Sequence, residues 1–484
     1  MNDRSSKTPR PRPRSAKTTE KGHHCTCLRQ GYLTLLGVMI LVCSCIQFFI
    51  TLFNPPASAT LLVAQEVNTT PSIQKIAPTS FDTLMIAKAK PSRKIVLLGP
   101  HDRYNFGDLI FTAVVTKLLV SRAQFSPDDI LFGGMITVNM TKYGGYNILS
   151  MKQIQTLSQK DTVQGPYDII YLGGEAVGCN FDCAVSMLPD ARMKIEARRE
   201  KIHDCPYLVP KYLLLPPSKP KEDDSFQINN YAVINSMGGT PCNACKKSIE
   251  TADYIAFRDK NPLFPDSAVM MKELYPDKIS EAAEEVLKDL FPGGKKTRQK
   301  IIAVQHRGID TEQGQQELAL ALDEVSRAGN ATIVFFVAGT APWHDSFSCY
   351  KQIAKMMKEP SIVYEVENMW KSVALISQAE AVLSTSLHVR IIAFLYLRPR
   401  LTWCGHEPKH PQFIALWDTD ESPRCLKSKN ETWSVLQRYY GANPNITQAA
   451  TAIAYEKTVA KYVESFDLWS SLVGWRRYRS RQSN

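Results

Sequence analysis

Short apolar runs alternate with helical patterns along the chain from residue 94 onward. In the first half of this stretch, apolar residues at helical spacing predict a helix over 107–123. Four apolar runs that end in glycine or a charged pair predict buried strands, over 94–100, 168–174, 231–239 and 252–259.

The same alternation resumes near residue 300. Helices are predicted over about 314–328 and 347–358, and a further helix begins at residue 387. Strands are predicted over 300–308, 331–340, 361–366 and 380–386. The segment 280–300, with its Pro-Gly-Gly breaker and basic run, is typical of an interdomain linker.

The regular order of strand and helix predicts an α/β protein with parallel sheets that carry helices on both faces. We therefore expect two doubly wound, Rossmann-like domains, an N-terminal one over 93–290 and a C-terminal one over 291–470. Ligands of such sheets bind beyond the carboxyl ends of the strands, so the cleft between the domains is the expected active site.

Residues 31–53 form a 23-residue stretch without a charged side chain. About 20 apolar residues cross a bilayer core as a helix, whereas the apolar part of a cleaved signal peptide is usually about 7–15 residues. Lys and Arg are frequent before the stretch and absent from 54–73, which favours a cytoplasmic N-terminus. The sequence thus predicts a basic cytoplasmic tail (1–30), a transmembrane signal anchor (31–53), a stem (54–92) and a lumenal body, a single-pass type II layout.

The formal net charge of +11 suggests at first an anionic partner such as nucleic acid. Residues 1–30 carry +6 of it, and four Arg in the basic C-terminal tail (471–484) carry +4. Only +1 remains for residues 31–475, so the body of the chain is nearly neutral. This distribution argues against a nucleic-acid-binding domain.

Eight of the twelve cysteines and five Asn-x-Ser/Thr sequons follow the predicted span. In a lumenal compartment we expect disulfides and glycosylation, but eight cysteines allow 105 pairings, so the pairing stays open. A four-thiolate zinc site of Cys179, Cys183, Cys242 and Cys245 is an alternative that an oxidising compartment disfavours.

Candidate site residues follow the predicted strands of the first half. Asn105, Gly107 and Asp108 either form a turn with a helix cap or offer backbone donors to an anion or sugar. Gly173 and Gly174 form either a plain turn or a point of close approach to a ligand. The pattern is not Gly-x-Gly-x-x-Gly, so a dinucleotide cofactor is disfavoured.

Arg258 ends the strand 252–259, where a guanidinium can bind a phosphate or carboxylate with two hydrogen bonds, unless it forms a surface pair with Asp259. In the second half, the strand ends carry candidate residues that can equally be structural: His306, Arg307, His344 and Asp345. His388 follows a Ser-Thr-Ser turn and lies on a predicted helix with Arg390. Its imidazole either donates a proton near neutral pH or is a helix-capping or core histidine.

These stretches occur in a defined order: 99–119, 167–178, 254–271, 301–308, 339–346 and 384–401. Together they resemble the polysaccharide pyruvyl transferase family over roughly residues 93–420. The resemblance implies a fold like that of GT-B glycosyltransferases. It also implies transfer of pyruvate from phosphoenolpyruvate onto two hydroxyls of a glycan sugar, for which galactose is expected, with formation of a cyclic ketal.

The family's catalytic Arg and His fall on Arg258 and His388. Many members have Arg where this chain has Ser386, and Arg390 is expected to replace that group; Arg258, Arg307 and Arg390 are expected to hold the phosphate and carboxylate. No cofactor or metal is expected beyond phosphoenolpyruvate as co-substrate. The expected partners are a glycan or glycoprotein acceptor and the membrane, and the expected location is the Golgi membrane.

Two other functions remain compatible with the sequence. One is a Golgi GT-B glycosyltransferase that uses a nucleotide sugar, for which the topology and fold class would be the same. The other is a non-catalytic lumenal glycan-binding protein that kept the fold. The order of motifs argues against the first, and the retained Arg258 and His388 argue against the second.

Overall fold

The computed structural model describes residues 94–482, apart from 162–166, 216–229, 262, 294–299, 309–310, 343, 405–408, 420–424, 427 and 442–443. The predicted cytoplasmic tail, transmembrane span and stem lie outside the described residues. Within the described part, no helix is both long enough and apolar enough to cross a bilayer.

Seven strands form the first sheet, in the order β3-β4-β2-β1-β5-β6-β7. Their bounds are β1 Ile95–Leu98, β2 Ile130–Gly134, β3 Val138–Asn139, β4 Asn147–Ser150, β5 Asp168–Tyr171, β6 Ala232–Met237 and β7 Tyr254–Phe257. All pairs are parallel except β3 with β4. Alternate side chains of β1 enter two separate apolar cores, so both faces of the sheet are covered.

The second sheet has five strands in the order β10-β9-β8-β11-β12, and all four pairs are parallel. Their bounds are β8 Ile301–Gln305, β9 Thr332–Phe335, β10 Ser361–Val363, β11 Ala381–Ser384 and β12 Arg400–Thr402. The predicted α/β class with two sheets of parallel strands is therefore confirmed. The parallel strands of each sheet reverse their order once, between β1 and β5 and between β8 and β11, and ligands of such sheets bind at these points.

The helices that matter for the site begin directly after strand ends or join the two halves. The α-helices of the described residues are α1 Phe106–Ser121, α2 Met151–Lys160, α3 Phe181–Ser186, α4 Ala191–Arg199, α5 Lys246–Glu250, α6 Met271–Leu274, α7 Pro276–Leu290, α8 Glu312–Gly329, α9 Phe347–Met356, α10 Met369–Gln378, α11 Leu387–Leu395, α12 Lys409–Trp417, α13 Thr432–Leu436 and α14 Pro444–Gln482. The first part of the predicted linker 280–300 is thus helical, because it forms the end of α7.

The last helix, α14, returns to the first half of the chain and includes most of the predicted basic tail. Tyr462 on α14 is fully buried and hydrogen-bonds through its hydroxyl to the side-chain amide of Asn235 on β6. Further along, Asp467 accepts two hydrogen bonds from Arg122 just after α1, both 2.8 Å long. These contacts connect the C-terminal segment to the first sheet.

Candidate active site

The imidazole of His388 comes from the second half of the chain and packs against α1 of the first half. His388 is the second residue of α11, and its ring meets the edges of Phe111 and Phe106 at centroid distances of 5.1 and 6.5 Å. Gly107 provides the space for it, since a Cβ there would lie 2.8 Å from Cε1 and closer still to Nδ1 and Cγ. Gly107, in the Asn-Phe-Gly-Asp stretch, therefore leaves space for the side chain of His388 from the second half of the chain.

Asp266 places a carboxylate between His388 and Arg258. Its Oδ2 accepts a 2.9 Å hydrogen bond from Arg258 Nη1 and lies 3.5 Å from His388 Nε2, while Oδ1 accepts from the backbone N of Ala268. Burial opposes ionisation, but His388 and Arg258 outweigh it, so the pKa of Asp266 is lowered. The two residues that the resemblance marks as catalytic thus share one buried anion.

Asp266 is a site residue that the sequence pattern does not indicate. A local signal was present, because Pro265-Asp266-Ser267 is a helix-start pattern that follows Arg258 closely. Nothing in the local sequence, however, indicates that this carboxylate reaches a histidine 122 residues further along.

Gly174 and Asp108 complete the cluster from the first half. A Cβ on Gly174 would lie 3.5 Å from His388 Cε1 and 3.6 Å from Arg258 Nη1, so the glycine Cα faces both side chains. The buried Asp108 carboxylate accepts a hydrogen bond from the backbone N–H of Gly174. Burial raises the pKa of Asp108, although the charges of Arg103, His388 and Arg258 act in the opposite direction.

Gly173 and Asn105 hold the backbone around this cluster. Gly173 has φ +125°, which an L side chain rarely adopts, and it packs on Pro100. Asn105 caps α1 by accepting a 3.1 Å hydrogen bond from the backbone N of Gly107. The contacts of Asn105 therefore support the capping interpretation, and the backbone N of Gly107 is used for the cap rather than for an anion.

Asn105 also joins the two halves, because it forms an isolated antiparallel bridge with Gly339. Backbone hydrogen bonds flank this bridge on both sides, from Phe106 N to Ala338 O at 2.8 Å and from Thr340 N to Tyr104 O at 3.2 Å. The loop after β1 is thus attached to the loop after β9. This attachment brings the carboxyl edges of the two sheets together.

Asp345 and His344 lie beside that bridge in the loop after β9. The Asp345 carboxylate accepts hydrogen bonds of 2.6 Å from Gln305 Nε2 and from the backbone N of Ala338, and burial raises its pKa to about 6. Burial lowers the pKa of His344, and the nearby positive charges of Arg103, Arg307 and Lys409 lower it further. Asp345 therefore shapes the loop, whereas His344 lies in a cationic environment.

His306 and Arg307 follow β8 at the reversal point of the second sheet. The His306 ring lies 5.0 Å from the ring of Trp403, and burial lowers its pKa to about 4, so the ring is neutral at pH 7. Arg307 is exposed and donates its backbone N–H to Thr385 Oγ1 at the end of β11. Neither residue has a described contact with the Asp266 cluster.

Arg390 does not reach the cluster, which corrects the expectation that it replaces the missing Arg at Ser386. Its side chain is fully buried and hydrogen-bonds Thr402 and Asp418, at 3.0 Å each. Arg400 binds the same carboxylate. Burial opposes the Asp418 charge, but the two guanidinium groups outweigh it and lower the pKa of Asp418 well below its usual range. Arg390 therefore belongs to an internal ion network.

Arg103 is a further cation at this edge, in addition to those predicted from the sequence. It follows β1, and its Nη1 donates to the hydroxyl of Tyr207 at 2.6 Å and to Asp102 at 3.2 Å. Its position in the loop at the reversal point between β1 and β5 was the available signal. With Arg258, it gives the first half two buried guanidinium groups near Asp108.

The cysteines group differently from the four-thiolate alternative. Cys242 and Cys245 lie with Cys205 rather than with Cys179 and Cys183. A disulfide joins Cys205 to Cys245, and another joins Cys404 to Cys425.

No protein-family model and no curated protein matches the chain. Among solved structures, it is similar to the UDP-GlcNAc 2-epimerase of Neisseria meningitidis, with 11% identity, TM-score 0.48, and coverage of 77% of this chain and 99% of the other. A putative UDP-N-acetylglucosamine 2-epimerase of Listeria monocytogenes gives 10% identity, TM-score 0.43 and coverage of 75% and 90%. A family 9 glycosyl transferase of Veillonella parvula has 11% identity and TM-score 0.37, and the match covers 78% of this chain and 99% of the other. At these values the similarity carries no argument about activity.

Proposed function

We propose that this chain is a transferase that moves pyruvate from phosphoenolpyruvate onto two hydroxyls of a glycan sugar and forms a cyclic ketal. The observation that carries the proposal is the meeting of His388 and Arg258, from different halves, at the carboxylate of Asp266. The same two residues are those that the resemblance to pyruvyl transferases assigns to catalysis. The sequence order and the spatial arrangement therefore support the same chemistry.

The residue types suit this donor. Phosphoenolpyruvate carries a phosphate and a carboxylate, and guanidinium groups bind such anions in a bidentate manner. Arg258 lies within the cluster, and Arg307 is an exposed cation that follows β8. We assign the binding of the donor's anionic groups to these two side chains.

His388 supplies the proton in this scheme. The imidazolium donates a proton to the methylene carbon of the donor, and the central carbon becomes an oxocarbenium-like centre. One sugar hydroxyl attacks that carbon and gives its proton to the now neutral His388, which restores the imidazolium. Phosphate then leaves with the electrons of its C–O bond, the second hydroxyl adds to the same carbon, and its proton goes to the departing phosphate. The two new C–O bonds replace the C=C π bond and the C–O bond to phosphate, so the step requires no redox cofactor.

Asp266 acts as a positioning residue. Its carboxylate holds the Arg258 guanidinium and lies beside His388 Nε2, and it is itself fixed by the backbone of Ala268. A buried, hydrogen-bonded anion keeps both partners in one orientation before substrate arrives, which is how binding energy is directed to the transition state.

We propose that this activity acts on glycans in the lumen of the Golgi, and the predicted anchor and the sequons support a lumenal location. The experiment incubates the full-length, detergent-purified chain with a galactoside and either phosphoenolpyruvate or a nucleotide sugar. Phosphate release with a ketal-linked pyruvate on the sugar, found by mass spectrometry, supports the proposal. Release of a nucleoside diphosphate would instead indicate a glycosyltransferase, and the absence of turnover a glycan-binding protein.

A variant and its matched control test the role of Arg258. Arg258→Ala should reduce turnover about 10²-fold or more, because it removes a guanidinium from the cluster. Arg327→Ala is the control, since Arg327 is an exposed residue of α8 that pairs only with Glu359 among its described ion pairs. Equal turnover of the two variants would contradict the role of Arg258.

A further inference from the structure

Three cysteines of the first half form a compact group at some distance in sequence from the residues of the proposed mechanism. The sulfur atoms of Cys205, Cys242 and Cys245 all lie within 4.8 Å of one another. Cys205 and Cys245 are fully buried, whereas Cys242 is partly exposed. The group therefore has two interior sulfurs and one that small solutes can reach.

The backbone permits two different disulfides within this group. The Cα atoms of Cys205 and Cys245 are 5.3 Å apart, and those of Cys242 and Cys245 are 5.2 Å apart. Both distances fall in the range of about 4.4–6.8 Å that disulfides require. Because one sulfur forms one disulfide at a time, Cys205 and Cys242 compete for Cys245.

We propose that this group is a thiol–disulfide exchange site, in which Cys245 alternates between Cys205 and Cys242 and Cys242 is the point of entry for small thiols and disulfides such as glutathione. In the internal step, the Cys242 thiolate attacks the Cys245 sulfur. The Cys242–Cys245 bond forms, the Cys205–Cys245 bond breaks, and its electron pair leaves with Cys205, which becomes the thiolate and takes up the proton that Cys242 lost. The step is redox-neutral and requires no oxidant.

The two pairings tie different parts of the chain together. The Cys205–Cys245 bond spans 40 residues and joins the loop of Tyr207, whose hydroxyl binds Arg103, to the segment after β6. The Cys242–Cys245 bond spans three residues and is local. Exchange therefore attaches or releases the loop that holds Arg103 at the carboxyl edge of the first sheet.

The test equilibrates the full-length chain in a glutathione redox buffer, quenches it with acid, alkylates the thiols, and maps the disulfides of non-reduced peptides by mass spectrometry. We expect both the Cys205–Cys245 and the Cys242–Cys245 peptides in the unsubstituted chain. We also expect glutathione adducts at Cys242 and none at Cys205. Cys183→Ser, which alters an exposed cysteine outside the group, should leave both pairings unchanged.

Substitutions then separate the two pairings. Cys205→Ser should leave only the Cys242–Cys245 disulfide, Cys242→Ser only the Cys205–Cys245 disulfide, and Cys245→Ser neither. A single pairing in the unsubstituted chain under all redox buffers would overturn the proposal. So would stoichiometric zinc bound to three reduced thiols. Because these two readouts use the unsubstituted protein, the proposal stays falsifiable even if a variant fails to fold.

Discussion

The space that Gly107 leaves for His388 can be tested by adding a single methyl group. In Gly107→Ala, the new Cβ would lie 2.8 Å from Cε1 of the imidazole and nearer to Nδ1 and Cγ, whereas non-bonded carbon atoms prefer about 3.5–4.0 Å. The ring must therefore move by about 1 Å, and Phe111 and Phe106 pack against its other sides. A displacement of about 1 Å in a reacting group can cost about 10²-fold in rate. We expect kcat for pyruvyl transfer to fall by about that factor.

The same substitution has a stability effect that does not depend on the proposed activity. Alanine is favoured over glycine inside a helix by about 0.5–1 kcal/mol, so Gly107→Ala should stabilise α1 once the clash is absent. In the His388→Ala background the clash is absent. We therefore expect Gly107→Ala to lower the free energy of unfolding when His388 is present and to raise it when residue 388 is alanine. Urea unfolding of the four proteins measures this double-mutant cycle.

Two results would refute the reasoning. A Gly107→Ala protein with unchanged kcat would show that the ring position does not matter for turnover. A stability change of the same sign in both backgrounds would show that Gly107 does not make room for His388. Gly293→Ala serves as the control for the added methyl group, because a Cβ there would meet no atom within 4 Å.

Four further predictions concern the support of the site. Burial lowers the pKa of His101 from 6.5 to about 3, so the unfolded chain takes up a proton at a higher pH than the folded chain. The free energy of unfolding therefore falls as the pH drops below 6.5, by about 2 kcal/mol at pH 5. His101→Gln should flatten this dependence in urea unfolding measured as a function of pH. Asp418→Asn leaves Arg390 and Arg400 buried without their anion and should cost about 3–5 kcal/mol in urea unfolding. Arg390→Met keeps the ion pair between Arg400 and Asp418, so this variant should lose less stability than Asp418→Asn. It should also leave the KM for phosphoenolpyruvate unchanged. A raised KM would show that Arg390 contributes to the substrate site. Asn105→Ala removes the cap of α1 and should cost about 1 kcal/mol; a thermal melt that does not change would contradict the capping role.

The strands and helices that carry the site were accessible from the sequence because their pattern is local. The runs around Ile95, Ile169 and Ile302 are nearly continuous in apolar residues, as strands covered on both faces require, and the structure buries every position of these strands. The short edge strands Val138–Asn139 and Arg400–Thr402 carry too few residues to show a period, and the sequence did not indicate them.

The arrangement of side chains depended on contacts between distant residues, and here the sequence was insufficient. Arg390 is interior because Asp418, 28 residues later, lies beside it. Asp266 matters because the second half brings His388 to it. Neither relation leaves a trace in local periodicity or spacing, so an arginine on the expected helix was assigned to substrate and the bridging carboxylate was overlooked.

The return of the last helix to the first sheet has a consequence for biosynthesis. Tyr462 and Trp469 on α14 are fully buried in the same apolar core as Ile95 and Leu97 of β1. These aromatic residues are synthesised more than 360 residues after the strand whose apolar core they share. A chain emerging from the ribosome can pair the strands of its first sheet early, but it completes that core only when synthesis is nearly finished. Truncation of the C-terminus should therefore destabilise the N-terminal half of the molecule as well as the C-terminal half.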